Sequence, residues 1–375
     1  MLSMVYSSAV SGIHASIIKV EVDISNGLPS FSTVGLPDTA VKESKNRVMA
    51  AIKNSGFRFP TKRITVNLSP ADIKKEGVAF DLPIAIGILT ATEQIISTSL
   101  NEYLFLGELS LDGTVRKVKG ILPIMVAVKE SKISKVILPV DNRQEASVVK
   151  GLQIYPVTTL KEVAELLTGE ATITPFVGNI EEMLARDSTY SIDFNDVKGQ
   201  SYAKRALEVA SAGGHNILLI GPPGSGKTML AKRLPSILPE MTLDESIETT
   251  KIHSVVGMVP ADSALIATRP FRSPHHTISY IALIGGGSNP RPGEVSIAHN
   301  GVLFLDELPE FHRNALEVLR QPLEDGTVNI SRASFSVTYP AKFMLAAAMN
   351  PCPCGFFGDS QRECVCTPKK PQGHG

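Results

Sequence analysis

The sequence predicts an α/β protein of two domains. Three observations carry this. Over roughly the first 170 residues, short runs with strand-like alternation interleave with amphipathic helix-like stretches. The octapeptide Gly221-Pro222-Pro223-Gly224-Ser225-Gly226-Lys227-Thr228 fits the phosphate-loop pattern G-x-x-x-x-G-K-[ST]. It sits between an apolar run, Ile217 to Ile220, and a helix-compatible run, Met229 to Leu234, which is the context the motif requires. About 75 residues beyond Lys227, a second apolar run from Gly301 to Leu305 ends in the adjacent carboxylates Asp306 and Glu307.

The 375 residues suffice for two domains with a core each. Lys+Arg and Asp+Glu both number 37, so no global field advertises a polyanionic partner, and a nucleic-acid contact has to come from a local patch. The first residues lack the basic and apolar regions of a signal peptide, and no run reaches the roughly 18 apolar residues of a membrane span. A cytoplasmic protein without membrane contact is expected. The four cysteines, Cys352, Cys354, Cys364 and Cys366, crowd the last stretch, unlike the spread of a secreted disulfide framework.

The domain expected over residues 1–172 opens with strand-like runs at His14 to Val22 and Phe31 to Val34. Asp38 is a fitting N-cap for a helix that puts Val41, Val48, Met49 and Ile52 on one face and ends at Gly56. Arg63 to Leu68 alternates as a strand, and Ile84 to Leu89 reads as a buried helix. Between Lys42 and Glu76 nine basic residues (Lys42, Lys45, Arg47, Lys53, Arg58, Lys62, Arg63, Lys74 and Lys75) face three acidic ones. They make either an ordinary solvated surface or a phosphate-tracking patch.

The stretch Ser69 to Pro83, with Gly107 to Gly113, Gly120-Ile121-Leu122-Pro123 and Val136-Ile137-Leu138-Pro139, resembles the proteolytic domain of the Lon proteases, which has the ribosomal-S5-like α/β fold. Laid on that family's nucleophile and lysine motifs, Ala79 takes the serine position and Leu122 the lysine position. A serine-lysine dyad needs a hydroxyl and an amine, so no protease activity is expected. Ser69 and Lys74 are shifted from the motif positions.

Residues 173–193 show no sustained period and read as a linker. The second domain, 194–375, starts with Phe194 to Gln200, which resembles the adenine-side segment of AAA+ ATPases. There, backbone groups around Val197 and Gly199 meet the base. In the phosphate loop, Lys227 is expected on the β/γ-phosphates and Thr228 on Mg²⁺. Asp306 is placed to hold the Mg²⁺ shell and Glu307 to orient and deprotonate water. The run Phe343 to Asn350 ends in an amide, and the resemblance makes Asn350 the sensor-1 residue of the AAA+ fold, with a plain strand-end cap as the other reading.

Three further stretches, Arg269 to Thr277, Gly285 to Ser296 and Asn350-Pro351-Cys352-Pro353-Cys354-Gly355, closely resemble the magnesium-chelatase-like AAA+ proteins of the ComM/YifB type. That family joins a Lon-like domain to a chelatase-type AAA+ module, and the resemblance spans almost the whole chain. It implies a hexameric, ATP-driven motor that promotes DNA branch migration in recombination and natural transformation. It also makes Ile278 to Ser296 the helix-2 insert and Gly326 to Val337 a pore hairpin, with Arg332 near its tip as either a DNA contact or an exposed turn residue. The pair His275-His276 suggests a metal, but no carboxylate or thiol lies at ligand spacing, so both read as polar loop residues. The cysteines, spaced C-x-C-x₉-C-x-C, form either a Zn²⁺ site or free thiols. The family continues past Gly375 with an arginine-bearing segment and a helical lid, so this polypeptide is expected to bind ATP with Mg²⁺ but to hydrolyse it poorly alone. A metal-insertion ATPase like the true magnesium chelatases, and a nucleotide-binding oligomerisation module without productive turnover, are the alternatives.

Overall fold

The computed structural model describes residues 1–366 except 181, 183, 185–187, 288–289, 333–334 and 359–361. It divides into two compact units, Met1–Leu184 with His253–Leu265, and Ala185–Ile252 with Ile266–Gly375. Both are α/β, as the sequence predicts. The stretch His253–Leu265, read from the sequence as part of the second domain, belongs to the first unit.

The first unit is built on seven strands: β1 (Leu2–Ser11), β2 (His14–Ser25), β3 (Ser30–Val34), β4 (Arg63–Ser69), β5 (Tyr103–Phe105), β8 (Lys135–Pro139) and β9 (Gln153–Val157). Two short ones, β6 (Glu108–Leu109) and β7 (Val115–Arg116), pair apart from that sheet. The sheet order is β3-β4-β2-β1-β5-β8-β9. β2 pairs antiparallel with β1 and β4, and the remaining pairs are parallel. Alternation sets the faces: in β4 Ile64, Val66 and Leu68 are buried, the intervening positions less so. Helix Thr39–Asn54 buries Val41, Val48, Ala51 and Ile52 against this sheet's core, while Met49 is only partly covered. Asp38 caps it, its Oδ1 accepting from Val41 N at 2.8 Å.

Local packing divides the basic cluster. Arg47 donates twice to Asp81, Lys75 is fully buried with its Nζ on Pro70 O, and Lys74 pairs with Glu76 at 2.7 Å. Lys42, Lys45, Lys53, Arg58, Lys62 and Arg63 remain exposed. At the two positions aligned with the Lon dyad, Leu122 is buried and Ala79 half-buried.

The second unit holds β10 (Ile217–Ile220), β11 (Phe271–Arg272), β14 (Val302–Leu305) and β17 (Met344–Met349) in one parallel sheet, ordered β10-β17-β14-β11. All four residues of β14 are buried, as its unbroken apolar run requires of a central parallel strand. β10 is different: Leu218 and Ile220 are 46% and 59% exposed on one face. The expected insert is a helix, Tyr280–Ile284, followed by the short pair β12 (Gly285–Gly286) and β13 (Arg291–Pro292). The expected hairpin is β15 (Thr327–Arg332) with β16 (Phe335–Pro340), antiparallel. The Arg332 side chain lies outside the described residues. Among the described residues no helix is long and apolar enough to cross a membrane.

Candidate functional site

Register brings three strand ends together. Ile220 of β10 lies opposite Met349 of β17, and Leu305 of β14 opposite Ala347. The residues that leave these strands therefore emerge side by side at the carboxyl edge of the sheet, the edge where parallel α/β sheets place their ligands.

From β10 the chain turns through Gly221 to Gly226 into helix Lys227–Lys232. Gly224 (φ 78°) and Gly226 (φ 87°) occupy left-handed backbone that side chains rarely adopt. Gly221 N donates to Met349 O at 3.3 Å, and Gln200 Nε2 to Ser225 O at 2.9 Å, so the loop is tied at both ends. Lys227 Nζ donates to Gly221 O (2.8 Å), Pro222 O (3.0 Å) and Asn350 Oδ1 (3.2 Å). Among the described residues it has no carboxylate partner, so its charge is uncompensated within a loop of small residues. That arrangement fits an anion.

From β14 come the two carboxylates. Thr228 Oγ1 donates to Asp306 Oδ2 at 2.6 Å, and Glu307 N to Asp306 Oδ1 at 3.0 Å. A hydroxyl and a carboxylate converging in this way are hard oxygen donors suited to Mg²⁺. Glu307 is itself left-handed (φ 53°, ψ 49°), and its side chain is 60% exposed. Its Oε2 lies 3.5 Å from His276 Nδ1. A cleft of about 200 Å³ is lined by Glu307, His276, Asn350 and Cys352.

Lys227, Thr228, Asp306, Glu307 and Asn350 thus meet at the carboxyl edge of one sheet. The backbone expected to meet the base runs through a buried Val197. That residue is 2% exposed and packs in the core with Phe194 and Leu207, while Gly199 (φ 66°) is exposed. The sequence reading missed Gln200 as a tether of the loop, and His276 as the neighbour of Glu307. It also left Arg269 without a role. Arg269 braces the strand entering β11, donating to Pro239 O (2.5 Å), Asn300 O (2.7 Å) and Glu245 (3.2 Å). The only signal for Arg269 and His276 was their place in the Arg269 to Thr277 stretch.

The four cysteines are free and converge. Their sulfurs stand 3.3 Å (Cys352–Cys354), 3.7 Å (Cys352–Cys364) and 3.5 Å (Cys354–Cys364) apart, with Cys366 Sγ accepting from Cys354 N at 3.4 Å.

A family model described as magnesium chelatase, subunit ChlI, matches residues 193–374, and a second, described as subunit ChlI of Mg-chelatase, matches residues 20–142. The chain is 48% identical to the competence protein ComM of Haemophilus influenzae, over 95% of this chain and 70% of that protein. It is 46% identical to the uncharacterized protein YifB of Escherichia coli, over 97% of this chain and 71% of that one. Similarity to the magnesium-chelatase 38 kDa subunit of Rhodobacter capsulatus is lower, 25% over 42% of this chain and 50% of that subunit. A phosphate loop, a facing carboxylate pair and these matches make it a protein of the AAA+ ATPase type. Since the chelatase models cover both halves while the high identity runs almost end to end with ComM and YifB, the chain belongs to the ComM/YifB family of magnesium-chelatase-like proteins.

Proposed function

We propose that this chain is the ATP-hydrolysing part of a cytoplasmic homohexameric motor that remodels DNA, with branch migration as its work. The observation that carries the nucleotide chemistry is the alignment of Lys227, Asp306 with Glu307, and Asn350 on neighbouring strand ends. In this reading Lys227 exchanges its backbone carbonyl partners for the β/γ-phosphate oxygens of ATP. Thr228 and Asp306 hold Mg²⁺, which when bound supplies positive charge against those oxygens. Glu307, at the exposed end of the carboxylate pair, takes the proton of the attacking water. Asn350 orients that water or the γ-phosphate through a neutral amide, and backbone around Val197 and Gly199 meets the base. The four-cysteine cluster stands beside this site and takes no part in its proton transfers.

DNA is supported by the ComM likeness over 95% of the chain, by the six exposed basic residues left after packing, and by two hairpin-bearing inserts in the ATPase unit. A second reading, ATP-driven metal insertion, draws on the chelatase matches, at lower identity and over less of the chain.

The test is phosphate release with and without branched DNA, beside ATP affinity from a fluorescent nucleotide. Turnover by this polypeptide alone is expected to be low, and DNA to raise it. Lys227→Ala is expected to weaken ATP binding by about 10- to 100-fold, the worth of a lost charge-assisted contact of about 1.5–3 kcal/mol. ATP binding that survives the substitution unchanged defeats the nucleotide reading. Binding without turnover under any DNA leaves a nucleotide-binding oligomerisation module in place of the motor.

A further inference from the structure

We propose that Cys352, Cys354, Cys364 and Cys366 bind one Zn²⁺, and that this ion braces the segment joining Asn350 to the phosphate loop.

All four sulfurs lie within 4.8 Å of one another. A tetrahedral zinc with Zn–S bonds of about 2.3 Å separates its sulfurs by about 3.8 Å along each edge. The separations found, 3.3, 3.5 and 3.7 Å, are those of a thiol shell closed slightly tighter than that tetrahedron. A polynuclear iron–sulfur cage needs its cysteines spread around several metal atoms, and a spread under 4.8 Å has room for one ion. Disulfides are the other fate of close thiols, yet a bonded pair stands near 2.05 Å, and all four cysteines are free. The backbone adds N–H···S contacts of the kind that support metal thiolates, Cys354 N to Cys366 Sγ at 3.4 Å and Phe357 N to Cys352 Sγ at 3.3 Å. With four ligands from the protein the site is closed, which makes the ion structural.

The position of the cluster gives it a task. Cys352 follows Asn350 by two residues, is fully buried and lines the cleft that Glu307 and Asn350 also line. Gly355, inside the same loop, lies flat on the phosphate loop: a Cβ there would come within 2.5 Å of Pro223 Cδ. A segment of short loop residues with little regular structure is thus wedged between the sensor amide and the phosphate loop. Four metal bonds fix it in that place. The metal site stands on the cysteines themselves, whereas its effect on nucleotide binding rests on the phosphate-loop reading above.

The two claims separate experimentally. The chain purified without added metal is expected to contain one zinc per polypeptide by elemental analysis, released on thiol modification. Cobalt exchanged into it should give the absorption of a tetrahedral thiolate complex. Cys364→Ser with Cys366→Ser is expected to lose the metal and to weaken fluorescent ATP binding roughly tenfold, about 1.4 kcal/mol. Lys227→Ala is expected to lose nucleotide while keeping its zinc. If that double variant does not fold, the same comparison is made on the intact chain before and after slow chelation. A metal-free native protein, iron in place of zinc, or a disulfide found among these cysteines by mass spectrometry overturns the site. Zinc present, with ATP affinity unmoved by its removal, overturns the brace.

Discussion

Glu307 holds its backbone at φ 53°, ψ 49°, where a side chain other than glycine costs about 1–2 kcal/mol. The neighbouring geometry explains why the strain is kept. It turns the chain two residues past the end of β14, where Asp306 accepts from Thr228 and Glu307 lines the cleft beside His276. Strain of this kind clusters at active sites and ligand clamps. Replacing Glu307 by Gln preserves shape and removes the base, so turnover is expected to fall by about 10²–10⁴ with ATP affinity within about twofold of the parent. Steady-state phosphate release and equilibrium nucleotide binding check this, and equal losses in both would contradict the assigned division of labour. At this scale the sequence was most legible in the phosphate loop and the Asp306-Glu307 pair, because their chemistry is written in contiguous residues. It was least legible in the basic cluster. Nothing local tells that Arg47 is spent on Asp81, or that Lys75 is buried against Pro70 O, since those partners are set by tertiary packing.

Elements show the same division between local and distant causes. Helix Thr39–Asn54 was readable because its cap, apolar face and stop are close in sequence: Asp38 bonds Val41 N, Val41, Val48, Ala51 and Ile52 are buried, and Gly56 at φ 88° follows the last turn. The hairpin of β15 and β16 was readable for the same reason. The order of the strands was not, since β17 enters between β10 and β14 through parallel crossovers that leave no mark in any short window. Asp38 also carries a contact no propensity would suggest, its Oδ2 accepting from Gly77 N at 3.1 Å. The carboxylate therefore joins a helix start to the loop after Lys75, whose N–H and carbonyl already bridge to Leu36 and Asp38. Asp38→Ala is expected to lower stability by about 1 kcal/mol, in the upper part of the ordinary cap range if the second contact counts, while Asp38→Asn keeps most of it. Urea unfolding should show a lower midpoint with an unchanged slope. A neutral alanine variant would mean that water replaces both contacts without loss.

At the scale of the molecule, the first unit is completed by residues that come from far along the chain. Ser254 Oγ donates to Glu145 across 109 residues of sequence, Gly120 N donates to Ser254 O at 3.0 Å, and Lys117 Nζ to Val259 O at 2.7 Å. Separation on that scale is invisible to motif and period, which is why the sequence reading gave His253–Leu265 to the other domain. The arrangement leaves Glu145 with its carboxyl buried, accepting also from Leu122 N at 3.0 Å. Burial pushes its pKa above the usual carboxylate range, outweighing the two donated hydrogen bonds and the pull of Lys117. The sign follows from linkage. Once the pH rises past about 4.3, the unfolded chain has given up this proton while the folded chain retains it, so the folded state binds more protons and stability falls as pH rises. The contribution is complete below the unfolded value and is lost as pH climbs through the folded one. Glu145→Gln keeps an amide oxygen for the same two donors and has nothing to titrate. The stability of the variant relative to the parent should therefore improve steadily from about pH 4 toward neutrality, read as the difference between two denaturant midpoints across that range. A difference that stays flat with pH would show that Glu145 is ionised in the folded protein as easily as in water, and that the contacts from Ser254 and Leu122 fully repay its burial.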